Sequence, residues 1–128
     1  MSAEFNHTII RCRDQHVSAA FLAEMLGCPT PTRFGPFHVV EFDNRVSLDF
    51  LETRDAIAPQ HFAFLVNEDD FDGVFARIGE RGIRYWADPG QTREGQINRN
   101  DGGRGIYFED PDGHLLEAIT RPYGSGGE

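Results

Sequence analysis

The chain has 128 residues, 39% of them hydrophobic, with 11 Phe, 3 Tyr and 1 Trp, enough for one domain with a genuine core or one domain built of two similar halves. Its net charge of −9 disfavours nucleic acid or an anionic membrane as a partner. All 12 basic residues are Arg, and a chain without Lys can use neither Schiff-base catalysis nor a Walker-type phosphate loop. Serine occurs only at Ser2, Ser18, Ser47 and Ser125, none in a G-x-S-x-G elbow, which argues against a serine hydrolase. No apolar run approaches the ~20 residues needed to cross a bilayer. With Cys12 and Cys28 as its two cysteines and no signal-like N-terminus, the chain is expected to be a soluble cytoplasmic protein with reduced thiols.

In chain order, Phe5 to Cys12 predicts a strand, and Asp14 is placed to cap a helix whose buried side would carry Val17, Phe21 and Met25. Gly27 and Pro29 end that helix. Short strands follow near Thr32 to Phe34, Phe37 to Phe42 and Arg45 to Glu52, and Asp55 to Pro59 reads as a linker. The pattern then begins again. "HFAFLV" from His61 is a strand, and "NEDDFDGVFARIGERG" is an acid-capped helix with Phe71, Val74, Phe75 and Ile78 on one stripe. Strands are expected at Arg84 to Trp86, Gly105 to Glu109 and His114 to Arg121, the last two joined by the turn Asp110-Pro111-Asp112-Gly113.

Each half is thus strand-helix-strand-strand-strand, which is the signature of an internal duplication. His61 follows His7 by 54 residues, and Phe71 and Phe75 follow Val17 and Phe21 by the same 54. Glu117 in "HLLEAIT" follows Asp49 in "VSLDFLE" by 68. The extra residues fall mainly in the polar stretch Ala87 to Gly103, which reads either as a mobile loop over a site or as surface filler.

The duplication places a histidine on the first strand of each half and an acid on the last. A single strand histidine is ordinarily a hydrogen-bonded structural residue, but a set of four in matched positions weakens that explanation. Strand alternation turns Phe62, Phe64 and Val66 to one face of "HFAFLV", onto the helix, and His61, Ala63 and Leu65 to the other. If two such curved sheets join, their helix-free faces line a cup in which the four polar side chains can converge. Glu117 stands between Leu116 and Ala118, and an ionised carboxylate in apolar surroundings needs a compensating charge. Two neutral imidazoles and a carboxylate with open positions beside them suit a divalent metal that must also bind substrate.

"NHTII", "QHFAFLV" and above all "YFEDPDGHLLEAIT" resemble the vicinal oxygen chelate superfamily, which includes glyoxalase I, extradiol dioxygenases, fosfomycin-modifying enzymes and metal-free bleomycin-resistance proteins. The resemblance runs from Phe5 to Pro122. It implies an α+β fold of two tandem βαβββ modules, about 4–55 and about 58–122, forming a cupped, barrel-like mixed sheet within a single domain, with a flexible tail at 123–128. By position, the family's metal triad falls on His7, His61 and Glu117, and the cation would be Fe2+, Mn2+, Ni2+ or Zn2+. The fourth ligand of a glyoxalase I falls on Asp49, whose shorter reach also suits it to orient a metal-bound water or act as a base. Tyr107 matches a tyrosine that related members turn towards the cup, or else is a core tyrosine with its hydroxyl satisfied. His38 is expected to share with Val40 the cup-facing parity of its strand, and is a further acid-base candidate or else a structural residue. Homodimers are common in the family, with or without exchange of halves.

The chain departs from a fosfomycin thiol transferase in having Ile9 two residues after the first histidine, where Thr is expected, and no phosphonate-binding Lys near Ala87. The favoured expectation is a metal-dependent enzyme acting on a small oxygenated substrate, by dioxygenase-like or glyoxalase/lyase-like chemistry. The alternative is a non-catalytic small-molecule binding protein of the bleomycin-resistance type, against which the retained triad argues. A scaffold with a vestigial site is the third possibility.

Overall fold

The computed structural model describes residues 2–126 and divides into two compact units, Met1–Ala58 and Pro59–Glu128. In the first unit, β1 (His7–Cys12) leads to α1 (Gln15–Leu26), then to β2 (Thr32–Phe34), β3 (Phe37–Glu41) and β4 (Ser47–Glu52). These strands form one sheet in the order β1-β4-β3-β2, with β1 parallel to β4 and the other pairs antiparallel. In the second unit, β5 (His61–Leu65), α2 (Glu68–Glu80), β6 (Tyr85–Trp86), β7 (Gly105–Glu109) and β8 (Leu115–Ile119) repeat the plan, and the sheet order is β5-β8-β7-β6. The two units thus have the same topology.

Local chemistry sets the helix ends. Asp14 caps α1 by accepting from the His16 and Val17 amides, and Gly27 closes it at φ 72, a left-handed conformation that glycine adopts without strain. Asn67 caps α2 through the Asp70 amide, and Glu68, Asp69 and Asp70 put negative charge at the positive end of its dipole.

Helix α2 buries Phe71, Val74 and Ile78 as its spacing predicts, while Phe75 remains partly exposed and meets Tyr85 edge-on. Helix α1 corrects the sequence reading. Its buried side is Ser18, Ala19, Leu22, Ala23 and Met25, and Val17 is 54% exposed. The reason is compositional: "VSAAFLAEML" is apolar or small almost all round, so spacing alone does not fix which stripe turns inward. α1 lies on β3 and β4, against Val40, Leu48 and Phe50.

The long insert is tied down along its length. Asp88 accepts from the Thr92 and Arg93 amides and the Thr92 hydroxyl. Glu94 bridges to Trp86 and takes a bidentate pair from Arg84, while buried Asn98 bridges to Gly105 and donates to the Ala87 carbonyl. The 123–128 tail is also held through Gly126, by Asp101; residues 127 and 128 lie outside the described residues. Among the described residues no helix is long and apolar enough to cross a membrane.

Candidate metal centre

In the second unit, β8 runs between β5 and β7, and its register sets Glu117 beside Ala63 on one side and Tyr107 on the other. Leu116 and Ala118 point into the core, so alternation turns Glu117 to the opposite face. Glu117 is only 6% exposed. Its Oε1 lies 2.9 Å from His61 Nε2, and the Tyr107 hydroxyl donates to the same carboxylate. The rings of His61 and Tyr107 are 5.8 Å apart, so three side chains from three adjacent strands form one cluster. Burial pushes the Tyr107 hydroxyl pKa well above its ordinary value, and the hydrogen bond and charge of Glu117 push it further, which keeps the phenol protonated.

The first unit repeats this framework with different contacts. Asp49 pairs with Ile9 and Val39, the register that Glu117 has with Ala63 and Tyr107. Buried Asp49 accepts from Ser47 Oγ at 2.8 Å, and the Tyr107 position is taken by Val39. His7 Nδ1 lies 2.7 Å from the side-chain oxygen of Asn6. An amide oxygen only accepts, so Nδ1 is the donor in this contact, which leaves Nε2 as the ring nitrogen open to another partner. An open pocket of about 410 Å³ has His7, Asp49, Ser47, Asn6, Phe34 and Val39 among its lining residues.

These side chains suit a divalent cation. Two ligand atoms bonded at ~2.1 Å and at right angles stand ~3 Å apart, which is the separation of His61 Nε2 and Glu117 Oε1. The buried carboxylate meets an imidazole nitrogen and a phenol hydroxyl, two of the groups that commonly accompany a metal-bound carboxylate. Among the described residues, neither unit by itself gathers three His, Cys, Asp or Glu side chains around one point. His61 and Glu117 stand together on the second unit, and His7 and Asp49 both line the pocket of the first.

His38 is placed differently from the expectation. It does share a face with Val40, but that is the face towards α1, where its ring meets His16 edge-on at 4.6 Å. Val39, not His38, lies beside Asp49. Burial, with the charges of His16 and Arg33, lowers the His38 pKa. His114 is fully buried, with Nδ1 accepting from the Gln60 amide at 3.0 Å, and belongs to the turn that Asp110 organises. Asn6 and Ser47 escaped the sequence reading; Ser47 was detectable as the residue two before Asp49, on the same strand face.

Two βαβββ modules, each bringing a strand histidine and a strand carboxylate to its helix-free face, define the class. The chain belongs to the Glyoxalase/Bleomycin resistance protein/Dioxygenase superfamily, whose model matches residues 4–118. Among solved structures it is similar to the oxidase ChaP-H2, with 60% identity and a TM-score of 0.96 over 99% of this chain and 100% of that one. It is also similar to the oxidase ChaP-H1, with 57% identity and a TM-score of 0.94 over 96% of this chain and 99% of that one. A curated relative, the glutathione transferase FosA of Serratia marcescens, is 31% identical over 91% of this chain and 80% of its own length.

Proposed function

We propose that this chain is a metal-dependent enzyme of its superfamily, acting on a small oxygenated molecule, in which His7, His61 and Glu117 hold one divalent cation. The observation that carries the proposal is the 2.9 Å contact between His61 and the buried Glu117, made from registered neighbouring strands. When bound, such a cation supplies Lewis acidity to adjacent substrate oxygens.

The rest is the work of side chains. His61 Nε2 and the Glu117 carboxylate are the atoms that would present lone pairs to the cation. Tyr107, held protonated, donates a hydrogen bond and steadies the Glu117 oxygens against rotation. Asp49 has one oxygen engaged by Ser47 and is one methylene shorter than a glutamate, which suits it to accept a proton from substrate better than to ligate. His7 contributes through Nε2, with its ring set by Asn6.

Among the chemistries open to the family, an oxidation is favoured. Two oxidases share well over half of their residues with this chain along nearly its full length, and two His with one carboxylate is a set that suits iron. Thiol transfer to fosfomycin is disfavoured by Ile9 and by the absence of lysine. The ligands come from both modules, either of one chain or of two chains in a homodimer. Cys12 and Cys28 form no disulfide, in keeping with a cytoplasmic setting.

Elemental analysis of protein purified without chelators tests the proposal. The expected result is one divalent ion per chain, lost in His61→Ala and in Glu117→Ala. Protein with no stoichiometric metal, and no rise in melting temperature on adding Fe2+, Mn2+, Ni2+ or Zn2+, overturns it.

A further inference from the structure

The pocket of the first unit has an end that the proposed metal site does not use. His7, Ser47, Asp49, Val39, Phe37 and Phe34 are among the residues lining its volume of about 410 Å³. Strand register orders them. Ser47 is paired with His7; Asp49, two residues on, is paired with Val39; and Phe37, two residues before Val39, is paired with Phe34. Cross-strand partners share a face, as do residues two apart on one strand. The six therefore stand on the helix-free face in three rows, His7–Ser47, Asp49–Val39 and Phe37–Phe34, each row ~7 Å from the next. Polar groups hold one end and two phenyl rings the other, ~13 Å away.

The β2–β3 hairpin is built to hold that pair of rings. Gly35 and Pro36 form its two-residue turn, with Gly35 at φ 58, where a side chain would be strained. Arg33 Nε donates to the Gly35 carbonyl at 3.2 Å, which ties the turn. Exposure in this pocket is inverted. Asp49 is only 8% exposed, while Phe34 is 74% exposed. A charged group sunk and a large apolar one left in water is the reverse of ordinary folding, and such a pairing marks a surface that something covers. Because the cavity is shared with His7 and Asp49, substrate is the occupant it favours.

We infer that Phe34, backed by Phe37, is a specificity-determining residue that seats the apolar body of the substrate, whose oxygens lie at the His7–Asp49 end. The inference rests on the metal-enzyme reading given above and names its substrate class. That class is an amphipathic molecule with adjacent oxygens at one end and an apolar body long enough to cross the ~13 Å between the rows. Covering Phe34 and Val39 removes apolar surface from water on both sides of the contact, so affinity rises with the apolar length of the ligand.

The test uses full-length protein loaded with cobalt(II) and dialysed free of unbound metal, titrated calorimetrically with acetohydroxamate and with octanohydroxamate. The two probes carry the same pair of chelating oxygens, and the second adds six methylenes. The wild type is expected to bind the longer probe at least about tenfold more tightly. Phe34 lies outside the core, so Phe34→Ala should keep its fold and cobalt content while losing most of that preference, and Phe34→Leu should regain it. An equal preference in wild type and Phe34→Ala, or no preference in the wild type, overturns the inference. So does a change of oligomeric state in Phe34→Ala by sedimentation velocity, which would make a second copy of the chain the occupant. Cobalt content, measured on the same samples, separates these results from a failure of the underlying reading. A wild type that holds one cobalt per chain without chain-length preference sinks this inference alone, and one that holds none sinks both.

Discussion

Tyr107 supplies a hydroxyl donor to a carboxylate that is only 6% exposed, and its removal leaves that buried charge with one partner fewer. Tyr107→Phe is therefore expected to lower the stability of metal-free protein by roughly 1.5–3 kcal/mol, the range for hydrogen bonds to charged groups. Urea unfolding measures it, and an unchanged midpoint would mean that Glu117 is satisfied elsewhere. His38 makes the opposite kind of prediction. Its folded pKa is lowered, by burial first and then by the charges of His16 and Arg33, so its unfolded form binds protons more readily. Its contribution to stability is thus present above the ordinary imidazole value near pH ~6.5 and is lost as pH falls through the lower folded value. In His38→Gln the decline in stability on acidification should be shallower; parallel declines would refute the assignment. The sequence revealed the parity of His38 with Val40, but parity does not say which face meets a helix, and on that point the expectation failed. The matched positions of Asp49 and Glu117 were legible as numbers before they were visible as equivalent registers.

At the scale of elements, caps and turns were readable because their chemistry is local. Asp14 accepts two amides, at 3.0 Å from His16 and 3.2 Å from Val17, and Asp14→Ala is expected to cost about 1 kcal/mol of stability in thermal or urea unfolding. A loss of only a few tenths would show that the Gln15 amide bond to Glu52 holds the helix start on its own. Strand limits and order followed from alternation and from the duplication. The buried stripe of α1 was not legible, because a helix of Ala, Ser, Leu and Met offers several apolar faces and tertiary contact chooses among them. The insert was legible as an insert only. Its ties through Glu94 and Asn98, and the grip of Asp101 on the tail, join residues 10 or more apart in sequence and leave no periodic trace.

For the whole molecule, duplication is the organising fact. Two units with the same strand order present the same two positions to their helix-free faces, but only the second surrounds its acid with an imidazole and a phenol. On the proposed function, that asymmetry suits Glu117 to ligation and Asp49 to proton transfer. Metal binding should then stabilise the folded chain by about 2.7 kcal/mol when free metal is a hundred times Kd. Thermal unfolding with and without chelator reads this difference, and Glu117→Ala should abolish it. A chelator effect that survives in Glu117→Ala would place the metal elsewhere.

The proposed function requires one cation shared by His7, His61 and Glu117. The most direct measurement is an anomalous-difference map, at the absorption edge of the native metal, from crystals grown without chelators. The expected result is a single strong peak within ~2.0–2.2 Å of a ring nitrogen of each histidine and of a Glu117 oxygen. An absent peak, or a metal that leaves any one of these three side chains out of its coordination shell, would contradict it.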